Sequence, residues 1–305
     1  MTVVEIATWG TVVSVEGGLL RVGSCRLPPE DVDLLIAAVP AVTITGEALA
    51  LLGRLGIGVV VCDHHHLPVS VLAPAGCGAI LSPRTLRLQA GMAARQRDAL
   101  WRQIVRAKIN AQADVLHDQG AADAARLRSL ARGVTAGDPD NKEAQAARLY
   151  WGAAFGADFR RGAADESNAM LDFGYAVLRA VVARQLHGAG LHRALGLHHD
   201  SAENDGNLAD DLIEPFRPAV DRQVLLLRGQ GLTMGTEARR RLAALPDWPV
   251  RVGAEWQRAR TSITRLVLSL RAVVVGGPAR LELPQRIGGI EDAGRMAEDV
   301  GSCVL

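Results

Sequence analysis

The chain has 305 residues, 49% of them apolar but only 4% aromatic, so Leu, Val, Ile and Ala must fill a core large enough for one big domain or two unequal ones. The net charge of +1 gives no overall attraction to nucleic acid, yet every basic residue except Lys108 and Lys142 is Arg, whose planar fork suits phosphate. No apolar run spans a bilayer, the start MTVVEIATWG carries Glu5 and no basic stretch, and the four cysteines form no C-x-x-C pair; a cytoplasmic protein without zinc knuckle, disulfide frame or membrane segment is expected.

In chain order, the first seventy-odd residues alternate with period two. GTVVSVEGGLLRV reads as a hairpin closed by Gly17-Gly18, VTIT and IGVVVCD read as further strands, and GEALALLGRLG reads as a short helix between them. The His64-His65-His66 run reads as an exposed turn, because neighbouring residues of a strand point to opposite faces and cannot converge on one ion. Pro74 to Pro83 reads as a linker.

From Arg84 the period becomes helical. Trp101, Ile104, Val105, Ile109 and Leu116 share a face of one long helix, and further helices are predicted at about 122 to 132, 142 to 157, 166 to 187, 208 to 228 and 254 to 274. The predicted class is α+β: a small β-rich domain (1–75), a linker (76–83), a larger all-helical domain (84–285), and a weakly patterned tail (286–305).

The densest chemistry lies in GLHHDSAENDGNLADDLIEPFRP, with His198, His199, Asp200, Glu203, Asp205, Asp210, Asp211 and Glu214. Imidazole with carboxylates is a donor set for Mn²⁺ or Mg²⁺ rather than for a thiolate-seeking metal. Asp211 and Glu214 are three apart and share a helix face. A purely structural alternative has Asn207 capping the helix and Asp210 closing a capping box, but it leaves two adjacent histidines and Glu214 unexplained. Pro215 either kinks the helix and re-aims Glu214 or marks where two helices meet.

Elsewhere, NKEAQAARLYWGAAF places Glu143 three residues after Asp140, so Glu143 is either a metal ligand or the far member of a capping box. Asn168 and Tyr175, seven apart, share a face of another amphipathic helix. Arg239, Arg240 and Arg241 are weaker candidates for phosphate contacts, with a solvated helix face as the alternative.

Taken in order, VTITGEALALLGRLGIGVVVCD, WRQIVRAKINAQADVL, NKEAQAARLYWGAAFG, NAMLDFGYAVLRA and ALGLHHDSAENDGNLADDLIEPFRP resemble the CRISPR-associated protein one family, especially its type II branch. The resemblance implies a β domain that dimerises, followed by a helical catalytic domain. It also implies a Mg²⁺ or Mn²⁺ site made of Glu143, His199 and Glu214, with Asp211, Asn168 and Tyr175 in supporting places. The activity implied is that of an integrase for CRISPR adaptation, joining the 3′-hydroxyl ends of captured double-stranded DNA to the border of a CRISPR repeat by transesterification. Implied partners are a second copy of the chain, the companion CRISPR-associated protein two, and the RNA-guided effector nuclease of a type II system. Two alternatives stand beside it: a metal-dependent endonuclease on branched DNA, and a non-catalytic DNA-binding scaffold whose acids serve only capping and solubility.

Overall fold

A computed structural model describes residues 2–64, 68–72 and 83–289. Residues 74–82 of the predicted linker, residues 290–305 of the predicted tail, His65, His66, Cys77 and Cys303 lie outside them. Strands β1 (Thr2–Ile6), β2 (Val12–Glu16), β3 (Leu19–Val22), β4 (Cys25–Leu27), β5 (Val32–Ala37) and β6 (Thr43–Ile44) precede α1 (Gly46–Arg54), β7 (Gly58–Cys62) and β8 (Pro68–Leu72). Both predicted glycines of the β2–β3 turn take positive φ, +58° and +80°, as a tight hairpin turn requires. Thr45 caps α1 by accepting from Ala48 N.

Two four-stranded sheets result, ordered β1-β5-β7-β8 and β4-β3-β2-β6. In the first, β1, β5 and β7 run parallel and β8 antiparallel. The near-continuous apolar run of β5 has its cause here, since both faces of the strand are covered. Leu35 and Val59 point into a core shared with the second sheet and α1, while Leu34, Ile36 and Val60 point into the core of the helices. The β-rich part therefore encloses a core of its own between its two sheets and α1, and shares the other face of its first sheet with the helices.

The helical part comprises α2 (Pro83–Ala90), α3 (Ala94–Asp118), α4 (Ala124–Arg132), α5 (Lys142–Phe155), α6 (Glu166–Gly188), α7 (Asn207–Ile213), α8 (Arg217–Gly229), α9 (Thr236–Ala243) and α10 (Ala259–Val274). Three predicted helices differ from expectation, one of them that of 208–228, which divides at Glu214–Phe216 into α7 and α8. The long helix from Arg84 breaks at Gly91, and residues 255–258, expected as helix, form a strand. That strand, β10 (Glu255–Arg258), joins β9 (Pro249–Val252) and β11 (Arg286–Ile287) in a small antiparallel sheet, so the larger part is mostly but not wholly helical. The turn at Gly253, with φ +64°, folds residues 255–258 back onto β9. Among the described residues no helix is long and apolar enough to cross a membrane.

The 23-residue α6 is the central helix, packing against β7, α7, α8, α9 and α10. Gly174 lets α8 approach it: a Cβ there would lie 2.4 Å from Val220 Cγ1. Helix α9 rests on β1 through Arg239, which is buried with its Nε 3.7 Å from Glu5 Oε1. Burial pushes the Glu5 carboxyl from its ordinary 4.5 up to about 7, against the pull of Arg239 and Arg240.

A carboxyl with a raised folded pKa favours the folded state below its unfolded pKa, and that contribution is lost as pH rises through the folded value. Glu5→Gln, which cannot ionise, should therefore gain on the native chain as pH rises from 4.5 to beyond about 7. The gain should reach up to about 3 kcal/mol. Urea unfolding of both chains across that window measures it, and a difference that stays constant with pH would contradict this account of Glu5.

Candidate metal centre

The three predicted ligands come from three separate segments. Glu143 enters from the first turn of α5. Asp138, with φ +52°, accepts from Lys142 N and Glu143 N at 2.9 Å each, and Asn141, also at φ +52°, accepts from Ala144 N at 3.2 Å. These two side chains satisfy the free N–H groups of the helix start, so no capping box is needed from Glu143. Its carboxylate turns instead to Lys108 on α3, with Oε1 2.6 Å from Nζ.

Glu214 follows α7 in a 3-10 turn, Glu214–Phe216, that leads into α8. Pro215 thus marks a junction between two helices that also re-aims Glu214 inward. Glu214 is 4% exposed. Its Oε2 lies 2.5 Å from Lys108 Nζ in an ion pair without hydrogen-bond alignment, and its Oε1 lies 3.1 Å from Arg217 Nε. Burial alone would raise the Glu214 pKa, but Lys108 and Arg217 hold it below the ordinary value.

His199 sits in the loop between α6 and α7, and Asp211 shapes that loop. Fully buried, Asp211 accepts from the backbone N–H groups of Leu197, His198 and His199 at 2.5, 3.1 and 3.1 Å. Its Oδ1 also lies 2.8 Å from His199 Nδ1, and this hydrogen bond is the main cause of a raised His199 pKa. With Nδ1 turned to a carboxylate, Nε2 is left for an ion, as in metal sites where a carboxylate orients the histidine. His198 points elsewhere, stacking flat on Trp101 at 4.3 Å between ring centroids, while His199 meets the same indole edge-on at 5.9 Å.

The loop is pinned from outside as well. Asn207 does not cap α7; Gly206 holds that place, and the Asn207 amide donates to Ala194 O and Ser201 O and accepts from Ser201 N. Asp210 pairs with Arg179 at 2.6 Å. Gln89 of α2 donates to His192 O and Leu195 O and accepts from His192 N. Gly196 permits the close wrap: a Cβ there would stand 2.2 Å from His199 O and 2.9 Å from Asp211 Oδ2.

The other candidates separate by distance from this point. Tyr175 donates to Asp221 Oδ1, which shares its buried carboxylate with Tyr150 at 2.9 Å, and Arg217 lies 4.8 Å over the Tyr175 ring. Burial pushes Asp221 up to about 6 despite these phenol contacts. Tyr175 thus steadies the arginine that holds Glu214. Asn168 lies one step further out: its amide bonds Arg160 O, Arg161, Gly162 N and Asp165, and organises the loop before α6. Asp200 and Glu203 are exposed, and Asp205 pairs with Arg193.

The arginines of α9 do not share one environment. Arg239 is buried against Glu5, and Arg240 and Arg241 both pair with Glu237. A groove of 1160 Å³ on another face of α3, lined among others by Arg106, Arg128, Arg265 and Arg280, is distinct from the Glu143–Glu214 cluster. The residues that sequence reasoning missed at the cluster are Lys108, Arg217, Asp221 and Gly196. The available signal was composition, for Lys108 is one of only two lysines.

Among the described residues no three His, Cys, Asp or Glu side chains stand close enough together to hold an ion as they are. A cation nonetheless occupies the space between Glu143 and Glu214, in the form of the Lys108 ammonium. That stand-in, a buried Glu214 oxygen without a hydrogen bond, and a histidine fixed through Nδ1 make a donor set that fits a hard divalent ion.

The family profile described as CRISPR associated protein Cas1 matches residues 5–237. A relative from Neisseria meningitidis serogroup C, named CRISPR-associated endonuclease Cas1, is 36% identical over 303 residues, covering 91% of this chain and 96% of its own. Among solved structures, a casposase bound to integration product superposes with a TM-score of 0.77 at 21% identity, covering 98% of this chain and all of that one. A chain of a Cas6-RT-Cas1–Cas2 complex superposes with a TM-score of 0.71 at 17% identity over 92% of this chain and 36% of its own. At such identities the structures establish a shared fold, while the profile and the meningococcal relative establish descent: this chain belongs to the Cas1 family of CRISPR-associated proteins.

Proposed function

We propose that this chain is the integrase of CRISPR adaptation, joining the 3′-hydroxyl ends of captured double-stranded DNA to the border of a CRISPR repeat in the cytoplasm. The observation that carries the reading is the convergence of Glu143 and Glu214 on one cation beside a His199 locked by Asp211. The names of similar proteins support it, a CRISPR-associated endonuclease and a casposase bound to integration product among them.

In the reaction the incoming 3′-oxygen bonds to phosphorus and the repeat strand's P–O3′ bond breaks. The proton lost by the attacking hydroxyl is balanced by the one taken up by the leaving 3′-oxygen. Glu143, Glu214 and His199 Nε2 would hold Mg²⁺ or Mn²⁺, which when bound polarises the phosphoryl oxygen and lowers the pKa of the attacking hydroxyl. Asp211 fixes the imidazole tautomer by engaging Nδ1. Arg217 keeps Glu214 oriented, and Tyr175 backs Arg217. The half-exposed His199 face leaves room for a DNA strand to approach. Water in place of the 3′-hydroxyl would turn the same site into an endonuclease, the activity in the relative's name, and joined against nicked product separates the two.

The working assembly is a homodimer bound to the companion protein two, with the type II effector nuclease assisting spacer choice. A Cas1–Cas2 complex among the solved structures supports the companion. The β-rich part supports the dimer: Trp9 is 65% exposed, and Val69, on edge strand β8, is 62% exposed.

Replacing Glu143, His199 or Glu214 by Ala should each cut strand joining by about a hundredfold or more, since each change removes a ligand from one ion worth several kcal/mol at the transition state. His198→Ala should cost far less. Joining at the native rate by Glu143→Ala would remove it from the site. Gly196→Ala should push the His199 loop off Asp211 and reduce joining to a similar extent with little loss of DNA binding; a normal rate would show that the loop tolerates the extra methyl. The double change Trp9→Glu with Val69→Glu should turn a sedimenting dimer into a monomer, and an unchanged dimer would place the interface elsewhere.

A further inference from the structure

Two carboxylates facing each other at a largely buried point repel and are costly to desolvate unless a cation lies between them. In this chain the cation is covalently attached. Lys108 reaches from α3, two turns beyond Trp101 on the same face, and only 13% of its side chain is exposed. Its Nζ contacts Glu143 Oε1 and Glu214 Oε2 at 2.6 and 2.5 Å. Arg217 takes the other Glu214 oxygen, so Lys108 is the cation that joins the two acids, which come from separate elements.

An ion held by those carboxylates needs the oxygens that the ammonium now occupies, so the two compete for one place. The residue type suits such exchange. Nearly all cationic positions of the chain are arginine, whose planar fork would fill the space rigidly, whereas lysine carries a compact charge on a stem that can swing aside. The nearby Asp221, held by Tyr150 and Tyr175, offers a negative field to an ammonium that has moved.

We propose that Lys108 is a positioning residue acting as a resident counter-cation, which holds Glu143 and Glu214 face to face in the ion-free chain and yields its place when a divalent ion binds. This rests on the metal reading above. It makes Lys108 an internal competitor that keeps the site assembled while setting a threshold for ion binding.

The test is titration of Mn²⁺ into the full chain without DNA, with free ion read by electron paramagnetic resonance, for the native protein, Lys108→Met, Lys108→Gln and Glu143→Gln. Both lysine variants should bind Mn²⁺ roughly tenfold or more tightly than the native chain, the size of an ordinary coupling between competing ligands. Ion-free Lys108→Met should also melt lower than native and recover with added Mn²⁺. Should Lys108→Met not fold without the ion, Lys108→Gln carries the comparison, because its amide still donates to a carboxylate without bringing charge. Native-like or weaker Mn²⁺ binding by the lysine variants, with binding lost in Glu143→Gln, would overturn the role of Lys108 and leave the metal reading intact. Native-strength binding by Glu143→Gln would overturn the metal reading itself.

Discussion

The ammonium of Lys108 between Glu143 and Glu214 ties together three segments that no local rule would join: the middle of α3, the start of α5 and the turn between α7 and α8. Burying two acids is unfavourable unless charge is matched at close range, and much of the surrounding structure supplies or preserves that match. Arg217 adds a second positive charge on the far oxygen of Glu214, and the Tyr175 ring carries that guanidinium on its face. Asp221, bound by two phenols, closes the network beneath.

A second constraint acts on the histidine. Asp211 has no exposure and collects three backbone N–H groups besides the imidazole, so the loop from 197 to 199 is folded around a carboxylate. Leu191 and Leu197 seat the loop in the helical core, and Gln89, Asn207 and the Arg179–Asp210 pair add polar anchors. Gly196 is the point where a side chain would not fit, because the chain doubles back onto its own carbonyl there. A loop held this way fixes the orientation of the His199 imidazole through the chain's own groups.

Much of this was legible in the residues. The β2–β3 hairpin followed from Gly17-Gly18 and α1 from GEALALLGRLG, while the apolar stripe starting at Trp101 marked α3 without showing that it begins only at Ala94. The convergence of Glu143 with Glu214 was legible only through resemblance, since spacing along the chain says nothing about contacts between α5 and the α7–α8 turn. Lys108 was passed over because a lysine in an amphipathic helix ordinarily reads as a solvated residue. Three arginines in a row on α9 look like surface charge, yet Arg239 faces the sheet, where Glu5 waits from the start of the chain. The β9-β10-β11 sheet escaped because short strands around a single glycine turn carry little periodicity. Asn207 looked like a helix cap, but its amide had more to satisfy in the loop before α7 than at the helix end.

The central claim is that Glu143, His199 and Glu214 serve one divalent ion. Its most direct test is a crystal of the full chain soaked in Mn²⁺ and measured at the manganese absorption edge. The account predicts a single strong anomalous peak bounded by the two carboxylates and His199 Nε2, with the Lys108 ammonium moved out from between them. A lysine still seated between Glu143 and Glu214, with the peak elsewhere or missing, would contradict it.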